Sequence, residues 1–280
     1  MTGVQTCALP ILDFLASTIA DLLGRSAVHA DEVAGAGIGV AGVIAFQDGI
    51  ICESPNFPAW RNFPIKRHLS ARLGMPVVLD NDANVVILGE ARFGAGRECG
   101  DFIGLTLGSG VGGGLFLDGR IYHGADGMAG ELGHIVVEPE GFPCGCGGRG
   151  CLEQYASANG LRNLLRRDHP EGRPGMAIDD PALPTRMYDA ALAGDAACLQ
   201  YFHEFGYRLA IGLGGLLNAL NVHRVVLAGG VARAHPLFLP TLAAELPRRT
   251  FAAILHNTQV VPCELWENGG ILGAAALILP

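Results

Sequence analysis

Apolar positions along the chain follow two spacings, which predict helices and buried strands in alternation. Near the start, Leu12, Leu15, Ile19 and Leu22 recur at helical spacing, and this helix is predicted to end near Gly24. Later helices are predicted around 69–73, 85–90, 155–167, 187–193, 196–220 and 269–279. Apolar runs predict strands at 35–46 with a turn at 42, and at 76–80, 102–107, 115–118, 222–227 and 259–262.

The first eleven residues do not share this pattern. Residues 1–11, MTGVQTCALPI, have no clear period and resemble the translation of a sequencing-adapter oligonucleotide joined in frame to a gene fragment. We interpret them as a non-native leader, and we therefore expect the natural start of the protein to be missing.

Composition narrows the class of protein. The 280 residues are 50% hydrophobic, enough for one or two ordinary cores. The formal net charge of −8 and the absence of a basic run argue against a nucleic-acid partner for this part. No apolar run reaches transmembrane length, which argues against a membrane partner. Five scattered cysteines without a framework pattern suit a reducing, cytoplasmic location.

The strongest chemical signal lies in residues 131–153, ELGHIVVEPEGFPCGCGGRGCLE. His134, Cys144, Cys146 and Cys151 follow the spacing H-x9-C-x-C-x4-C. Three thiolates and one imidazole complete a tetrahedral zinc site that leaves no position for water, so the site is structural. The alternative is a set of buried thiols beside a core histidine, but a segment this polar and glycine-rich is a poor core.

Two carboxylates flank this predicted metal site. Glu131 precedes His134 by three residues, and Glu153 follows Cys151 by two. Carboxylates held beside a rigid metal site are good acceptors for sugar hydroxyls, and a metal-bound histidine can offer its second nitrogen to the same ligand. Alternatively, both glutamates are solvated loop charges.

A polar NDAN stretch at 81–84 follows the 76–80 strand and opens a helix. The carboxyl end of a parallel strand is where α/β folds hold their chemistry, which favours a site at Asn81 and Asp82. Helix capping is the alternative, since Asn and Asp are preferred N-cap residues, yet capping accounts for one polar residue only.

Two glycine-rich turns are candidate nucleotide contacts. Residues 108–114, GSGVGGG, are predicted as a loop whose backbone N–H groups cradle phosphate, although a glycine-rich hairpin has the same sequence pattern. Gly229 and Gly230 form a second turn that leads into a helix.

Taken in order, these segments resemble the ROK family of bacterial sugar kinases and sugar-responsive repressors. The matching motifs are GIGVAG, PNFPAW, LDNDAN, LTLGSGVGGG, GELGH, CGCGGRGCLE and VVLAGGVA. The resemblance implies a two-lobed actin-like, ribonuclease-H-like α/β fold with an interlobe cleft. It implies an N-terminal lobe over 12–99, onto which the closing helix 268–280 packs back, and a C-terminal lobe with the zinc site over 100–267.

The resemblance also implies a role for each candidate residue. Asp82 is the general base on a hexose hydroxyl. The sugar is expected to contact Gly42, Asn56, Asn81, Asp82, Glu131, His134 and Glu153, and ATP with Mg²⁺ to contact Gly108, Ser109, Gly110, Gly112, Gly113, Gly229 and Gly230. Zinc is expected on His134, Cys144, Cys146 and Cys151. A homodimer is implied by the family alone.

One departure from the family matters. The family begins with a strand, a D-x-G-G-T phosphate loop and a second strand, and this sequence contains none of them. We therefore expect an incomplete first-lobe sheet with an exposed edge, and a chain that binds sugar and zinc but phosphorylates slowly.

The sequence leaves two functions open. The first is an ATP-dependent hexose kinase, with glucose phosphorylated at its 6-hydroxyl as the expected reaction. The second is the sugar-sensing part of a ROK repressor. The presence of Asp82 and of an intact GSGVGGG segment favours the kinase.

Overall fold

A computed structural model of the protein describes residues 3–26, 28–54, 57 and 59–279, with the backbone alone at 3–9 and 30. The helices span Gly3–Arg25 (α1), Ile65–Leu73 (α2), Asp82–Phe93 (α3), Ala158–Asp168 (α4), Leu183–Leu192 (α5), Ala196–Leu220 (α6), His235–Glu245 (α7), Ala252–Leu255 (α8) and Gly269–Ala276 (α9). The strands span Ala36–Val40 (β1), Val43–Ala45 (β2), Ile50–Glu53 (β3), Val77–Asn81 (β4), Phe102–Leu107 (β5), Val111–Leu117 (β6), Arg120–Ile121 (β7), Arg224–Ala228 (β8) and Gln259–Pro262 (β9).

The first lobe is built on two small sheets. Strand β1 pairs in parallel with β4, and β2 pairs antiparallel with β3. The predicted 35–46 strand therefore belongs to two sheets, and it divides at Gly42, whose φ of +134° suits glycine. A buried cluster that includes Leu12, Ile51 and Leu69 packs α1 and α2 against these strands.

The second lobe is a five-stranded sheet in the order β7-β6-β5-β8-β9, parallel across β5, β8 and β9. Its largest core lies under α6, whose buried face includes Phe202, Phe205 and Leu213. Both α6 and β9 have the bounds predicted from apolar spacing. Helix α1 begins earlier than predicted, at Gly3 rather than Leu12, and thus includes residues assigned to the leader.

Helix α3 joins the two lobes. It contacts β1 and β4 on one side and β5 and β6 on the other, and α9 packs along it. Buried Glu90 fixes its far end by accepting backbone N–H groups from Ala95 at 2.7 Å and Leu265 at 2.9 Å. The N-terminal end of α3 is thereby held at a defined place between the sheets. The lobe boundary predicted at residue 99 stays a prediction.

No helix in the described part of the chain is both long enough and apolar enough to cross a membrane.

The contact between α3 and α9 depends on glycine, and this gives a test. A Cβ at Gly273 would overlap the carbonyl oxygen of Val85, whereas one at Gly270, in the same helix, would meet open space. We expect Gly273→Ala to lower the free energy of unfolding by about 1–3 kcal/mol, through overpacking. Gly270→Ala should leave it unchanged or raise it by up to about 1 kcal/mol. Urea denaturation measures both; equal stability of the two variants would contradict the packing argument.

Candidate functional site

A cavity of about 590 Å³ opens between the two lobes. The structure brings together most of the residues predicted for ligand binding, and the cavity wall includes Gly42, Asn81, Asp82, Gly108, Ser109, Gly110, Gly112, Gly113, Glu131, His134, Glu153 and Gly229. Gly230 is next in the chain but does not line the cavity, and Asn56 lies outside the described residues. The wall also contains residues that were not predicted, among them Thr106 and Met128.

Asp82 is the first residue of α3, and its exposed carboxylate faces the cavity. Its neighbour Asn81 is the N-cap: the side-chain oxygen accepts from the N–H groups of Ala83 at 2.8 Å and Asn84 at 3.4 Å. The Asn81 amide donates to the Gly42 carbonyl at 3.0 Å. Asp82 Oδ1 also accepts from the Ala83 N–H, at 3.0 Å, while Asp82 Oδ2 has no hydrogen bond among the described residues and is the oxygen left for a ligand.

Behind this pair lies a carboxylate that sequence analysis missed. Asp80 is 2% exposed, accepts from the Asn81 N–H at 2.7 Å and from the Asn84 amide at 2.9 Å, and lies 2.7 Å from His123 Nε2. A residue at the end of an apolar strand gives no sign in sequence that its partners include a histidine 43 positions away.

The prediction that 108–114 is a loop is wrong in its second half, whereas the predicted phosphate contact of these residues stays a prediction. Gly112 and Gly113 belong to β6 and pair with Thr106 and Leu105, so the alternative of a glycine-rich hairpin holds. A side chain at Gly112 would overlap Thr106 and the Cβ of Ala83 on α3, which explains the glycine by packing.

The hairpin turn itself, 108–110, still presents backbone to the cavity. Gly108 N–H donates to the Gly110 carbonyl at 2.9 Å, and the carbonyls of Gly108 and Ser109 accept from the first turn of α4. Among the described residues, the N–H groups of Ser109 and Gly110 have no acceptor. Two free N–H groups beside an open cavity are suited to an anion.

The four predicted metal ligands meet beside this cavity. Their ligand atoms all lie within 4.8 Å of one another. Cys146 Sγ and Cys151 Sγ are 3.7 Å apart, and Cys144 Sγ is 3.5 Å from His134 Nδ1. Tetrahedral zinc, with bonds of about 2.3 Å to sulfur and 2.0–2.1 Å to nitrogen, sets these separations at about 3.8 and 3.5 Å. The donor set therefore fits a closed tetrahedral ion.

The protonation of these thiols depends on burial and hydrogen bonds. Burial raises the pKa of Cys144 to about 12, and Glu153, which accepts from its thiol at 3.1 Å, adds to the shift. Burial also raises the pKa of Cys151, whereas a backbone hydrogen bond from Gly148 lowers the pKa of exposed Cys146. A bound cation would reverse the disadvantage of the charged form at the two buried thiols.

Three carboxylates converge on the cavity. Partial burial raises the pKa of Glu131, His134 opposes that shift, and the charges of Asp82 and Glu153 add to it. His134 bridges the set, with Nε2 at 3.9 Å from Glu131 and Nδ1 at 3.9 Å from Glu153. Asp82, Glu131 and Glu153 thus form one acidic wall of the cavity, and Glu153 Oε2 also lies beside Gly110 of the glycine turn, where an added Cβ would be 2.5 Å from it.

This two-lobed α/β architecture, with its ligand cavity between the lobes, is the actin-like ATPase fold. The chain belongs to the ROK family, whose sequence model matches residues 4–280. That match begins inside the segment interpreted as a non-native leader.

Relatives in the family include enzymes and regulators. The chain is 38% identical over 253 residues to a glucokinase of Thermotoga maritima, covering 89% of this chain and 80% of that protein. It is 31% identical to a xylose repressor of Caldicellulosiruptor bescii, covering 92% and 67%. A ROK family glucokinase of Streptomyces griseus, solved in complex with glucose and AMPPNP, superposes with a TM-score of 0.80 at 32% identity, covering 96% of this chain and 88% of that one.

The cap at α3 yields a prediction about stability. Asn81→Ala removes the acceptor of the Asn84 N–H and one of the two acceptors of the Ala83 N–H, so we expect the free energy of unfolding to fall by about 1 kcal/mol. Asn81→Ser keeps a capping oxygen but lacks the hydrogen bond to Gly42, so its free energy of unfolding should fall by less than that of Asn81→Ala. Urea unfolding of both variants tests this; an equal loss would mean that the contact with Gly42, and not the cap, matters.

Proposed function

We propose that this protein transfers the γ-phosphoryl group of ATP to a hexose, with the 6-hydroxyl of glucose as the expected acceptor. The observation that carries the proposal is the exposed carboxylate of Asp82 at the start of α3. It lies in a cavity shared with Glu131 and Glu153 and with the N–H groups of Ser109 and Gly110, which have no acceptor among the described residues. The glucokinase relatives support the same reaction.

The sugar would lie against the acidic wall. Glu131 and Glu153 offer carboxylate oxygens to its hydroxyls, and His134 Nε2 lies on the side of Glu131. Asn81 and Gly42 complete the wall nearest Asp82. Asn56 is proposed for the same pocket on family resemblance alone.

The phosphates of ATP would lie at the glycine turn. The free N–H groups of Ser109 and Gly110 favour an anion there, while Gly112 and Gly113 line the adjoining wall and Gly229 and Gly230 lie at the end of β8. Mg²⁺ is expected to arrive with the nucleotide, held by phosphate oxygens in preference to a protein cage.

The chemical step needs little from the protein beyond position and charge. As the sugar oxygen forms its bond to the γ-phosphorus and the bond from that phosphorus to ADP breaks, the hydroxyl proton passes to Asp82. Asp82 is suited to this role because its carboxylate is exposed to the cavity and only Oδ1 is engaged by the Ala83 N–H, which leaves Oδ2 for the proton.

We further propose that the His134, Cys144, Cys146 and Cys151 cluster holds structural zinc. The ligand separations fit tetrahedral coordination, and Gly-rich residues 145–150 offer little core to hold the segment otherwise. Zinc would fix the positions of the His134 and Glu153 side chains at the acidic wall of the cavity. A cytoplasmic homodimer remains the expectation from the family.

The second candidate is the sugar-sensing part of a repressor. Its support is the relation to xylose repressors, one of them 31% identical over most of this chain. Both functions would need the acidic wall of the cavity to bind a sugar, and only the kinase would need Asp82 to accept a proton.

Measurement of ADP release with a panel of hexoses tests the kinase. We expect the highest turnover with glucose, and a fall in kcat of about 10²–10⁴ in Asp82→Asn, which loses the general base. Asp179→Asn, at a fully exposed carboxylate, is the matched control and should behave as the wild type. Sugar binding without any turnover in the wild type would contradict the proposed kinase activity of this chain.

Zinc content tests the metal site. We expect about one zinc per chain by elemental analysis, lost in Cys144→Ser and Cys151→Ser because a closed site needs all four ligands. Cys52→Ser, a half-buried cysteine outside the cluster, should keep its zinc. Chelation should lower both the Tm and the affinity for sugar. Full zinc in the Cys151→Ser variant would exclude the assigned ligands.

A further inference from the structure

The segment 122–130 leaves the second lobe and docks on the first. It connects β7 to a 3₁₀ turn at Leu132–His134, both of which pack on β6. Between them, the His123 ring stacks on Phe46, with centroids 3.9 Å apart and planes 18° apart, and Nε2 lies 2.7 Å from Asp80 Oδ2. Four residues later, Gly127 approaches the backbone of Ile44 and Phe46 closely enough that an added Cβ would lie 3.0–3.1 Å from it.

The residue that receives His123 also organises the start of α3. Asp80 Oδ1 accepts from the Asn81 N–H and from the Asn84 amide, and its carboxylate is 3% exposed. An ionised carboxylate only accepts hydrogen bonds, so the His123 nitrogen that faces it is the donor. One buried carboxylate therefore connects His123 to the residues on either side of Asp82.

The other end of the docked segment reaches the acidic wall of the cavity. His123 accepts a backbone hydrogen bond from Ala129 at 3.0 Å, which folds the segment into a compact turn. Residues 127–130 line the cavity, and the chain then enters Glu131. His123 is thus the point where the Glu131 side of the cleft is tied to the Asp82 side.

We propose that His123 is a positioning residue, whose hydrogen bond to Asp80 holds Glu131 in register with Asn81 and Asp82 across the cleft. The inference rests on the proposed sugar site and adds a residue to it that does not contact the sugar. Side chains that position binding groups from behind affect affinity because small displacements of those groups weaken every bond to the ligand.

Two substitutions of the same residue separate this role from packing. Gln places an amide donor near the position of His Nε2, whereas the shorter Asn places it near Nδ1 and does not reach Asp80. Both lose the aromatic stack on Phe46. Arg97→Ala is the control for loss of an interaction between residues distant in the chain, because it removes an exposed ion pair to Glu264. Arg97 lies neither in the cleft nor at the contact of His123 with Asp80.

The experiment measures glucose affinity by titration calorimetry and amide exchange of residues 122–131, at a temperature where all variants are folded by thermal melt. We expect His123→Asn to bind glucose about tenfold more weakly than the wild type and to exchange faster in 122–131. His123→Gln should stay within about threefold of the wild type in affinity and keep the slow exchange. Arg97→Ala should match the wild type in both.

The outcomes separate this inference from the proposed function. If the wild type binds glucose and His123→Asn binds it equally well, the positioning role is overturned while the sugar site stands. If both His123 variants lose affinity equally, the donor is not what matters, and the proposal fails. A wild type that binds no hexose overturns the proposed function and the positioning role with it. If amide exchange of 122–131 is then faster in His123→Asn than in the wild type and His123→Gln, the result shows only that the hydrogen bond to Asp80 holds this segment on the first lobe.

Discussion

The close contact between α3 and α9 is the constraint on which the rest of the structure depends. Gly273 lies against the backbone of Val85, and Gly89 lies against Gly269, so the two helices meet without side chains between them. Backbones in contact cannot slide without breaking many dispersion contacts at once. Because α3 is also anchored by Glu90 at one end and capped by Asn81 at the other, Asp82 has one position relative to both sheets.

The acidic wall of the cleft is held in a different way. Leu132, Val137 and Leu152 anchor the ends of the segment 131–153 in the core of the second lobe. The glycine-rich stretch between them is ordered by short turns, by backbone hydrogen bonds and by contacts within the His134–Cys cluster. Negative charge is unfavourable in this region. Burial disfavours the thiolates of Cys144 and Cys151, and the carboxylates of Asp82, Glu131 and Glu153 lie close together. A cation bound to the cluster would offset both the cost of the buried thiolates and the repulsion among the carboxylates. For this reason we propose that metal binding supports sugar binding.

The relatives of this chain include both glucokinases and xylose repressors. In the function proposed above, both classes would use the acidic wall to bind a sugar, and only a kinase would use Asp82 as a base and the glycine turn as a phosphate contact. Function therefore depends on the site and not on the fold. In this chain the exposed carboxylate of Asp82, and the N–H groups of Ser109 and Gly110 that have no acceptor within the described part, weigh toward catalysis.

Local sequence alone determined much of this protein. Apolar spacing gave α6 and β9 with their observed bounds, ligand spacing predicted the metal cluster, and ordered motifs identified the family.

Tertiary structure decided what depends on partners distant in the chain. The 35–46 run divides into β1 and β2 because their partners, β4 and β3, belong to different sheets. Gly112 and Gly113 are strand because they pair with β5, and they are glycine because Thr106 and Ala83 crowd the first and Leu132 and Gly130 the second. The bond between Asp80 and His123 has no local signal, since each residue is ordinary in its own segment and only the docking of one lobe on the other brings the two together.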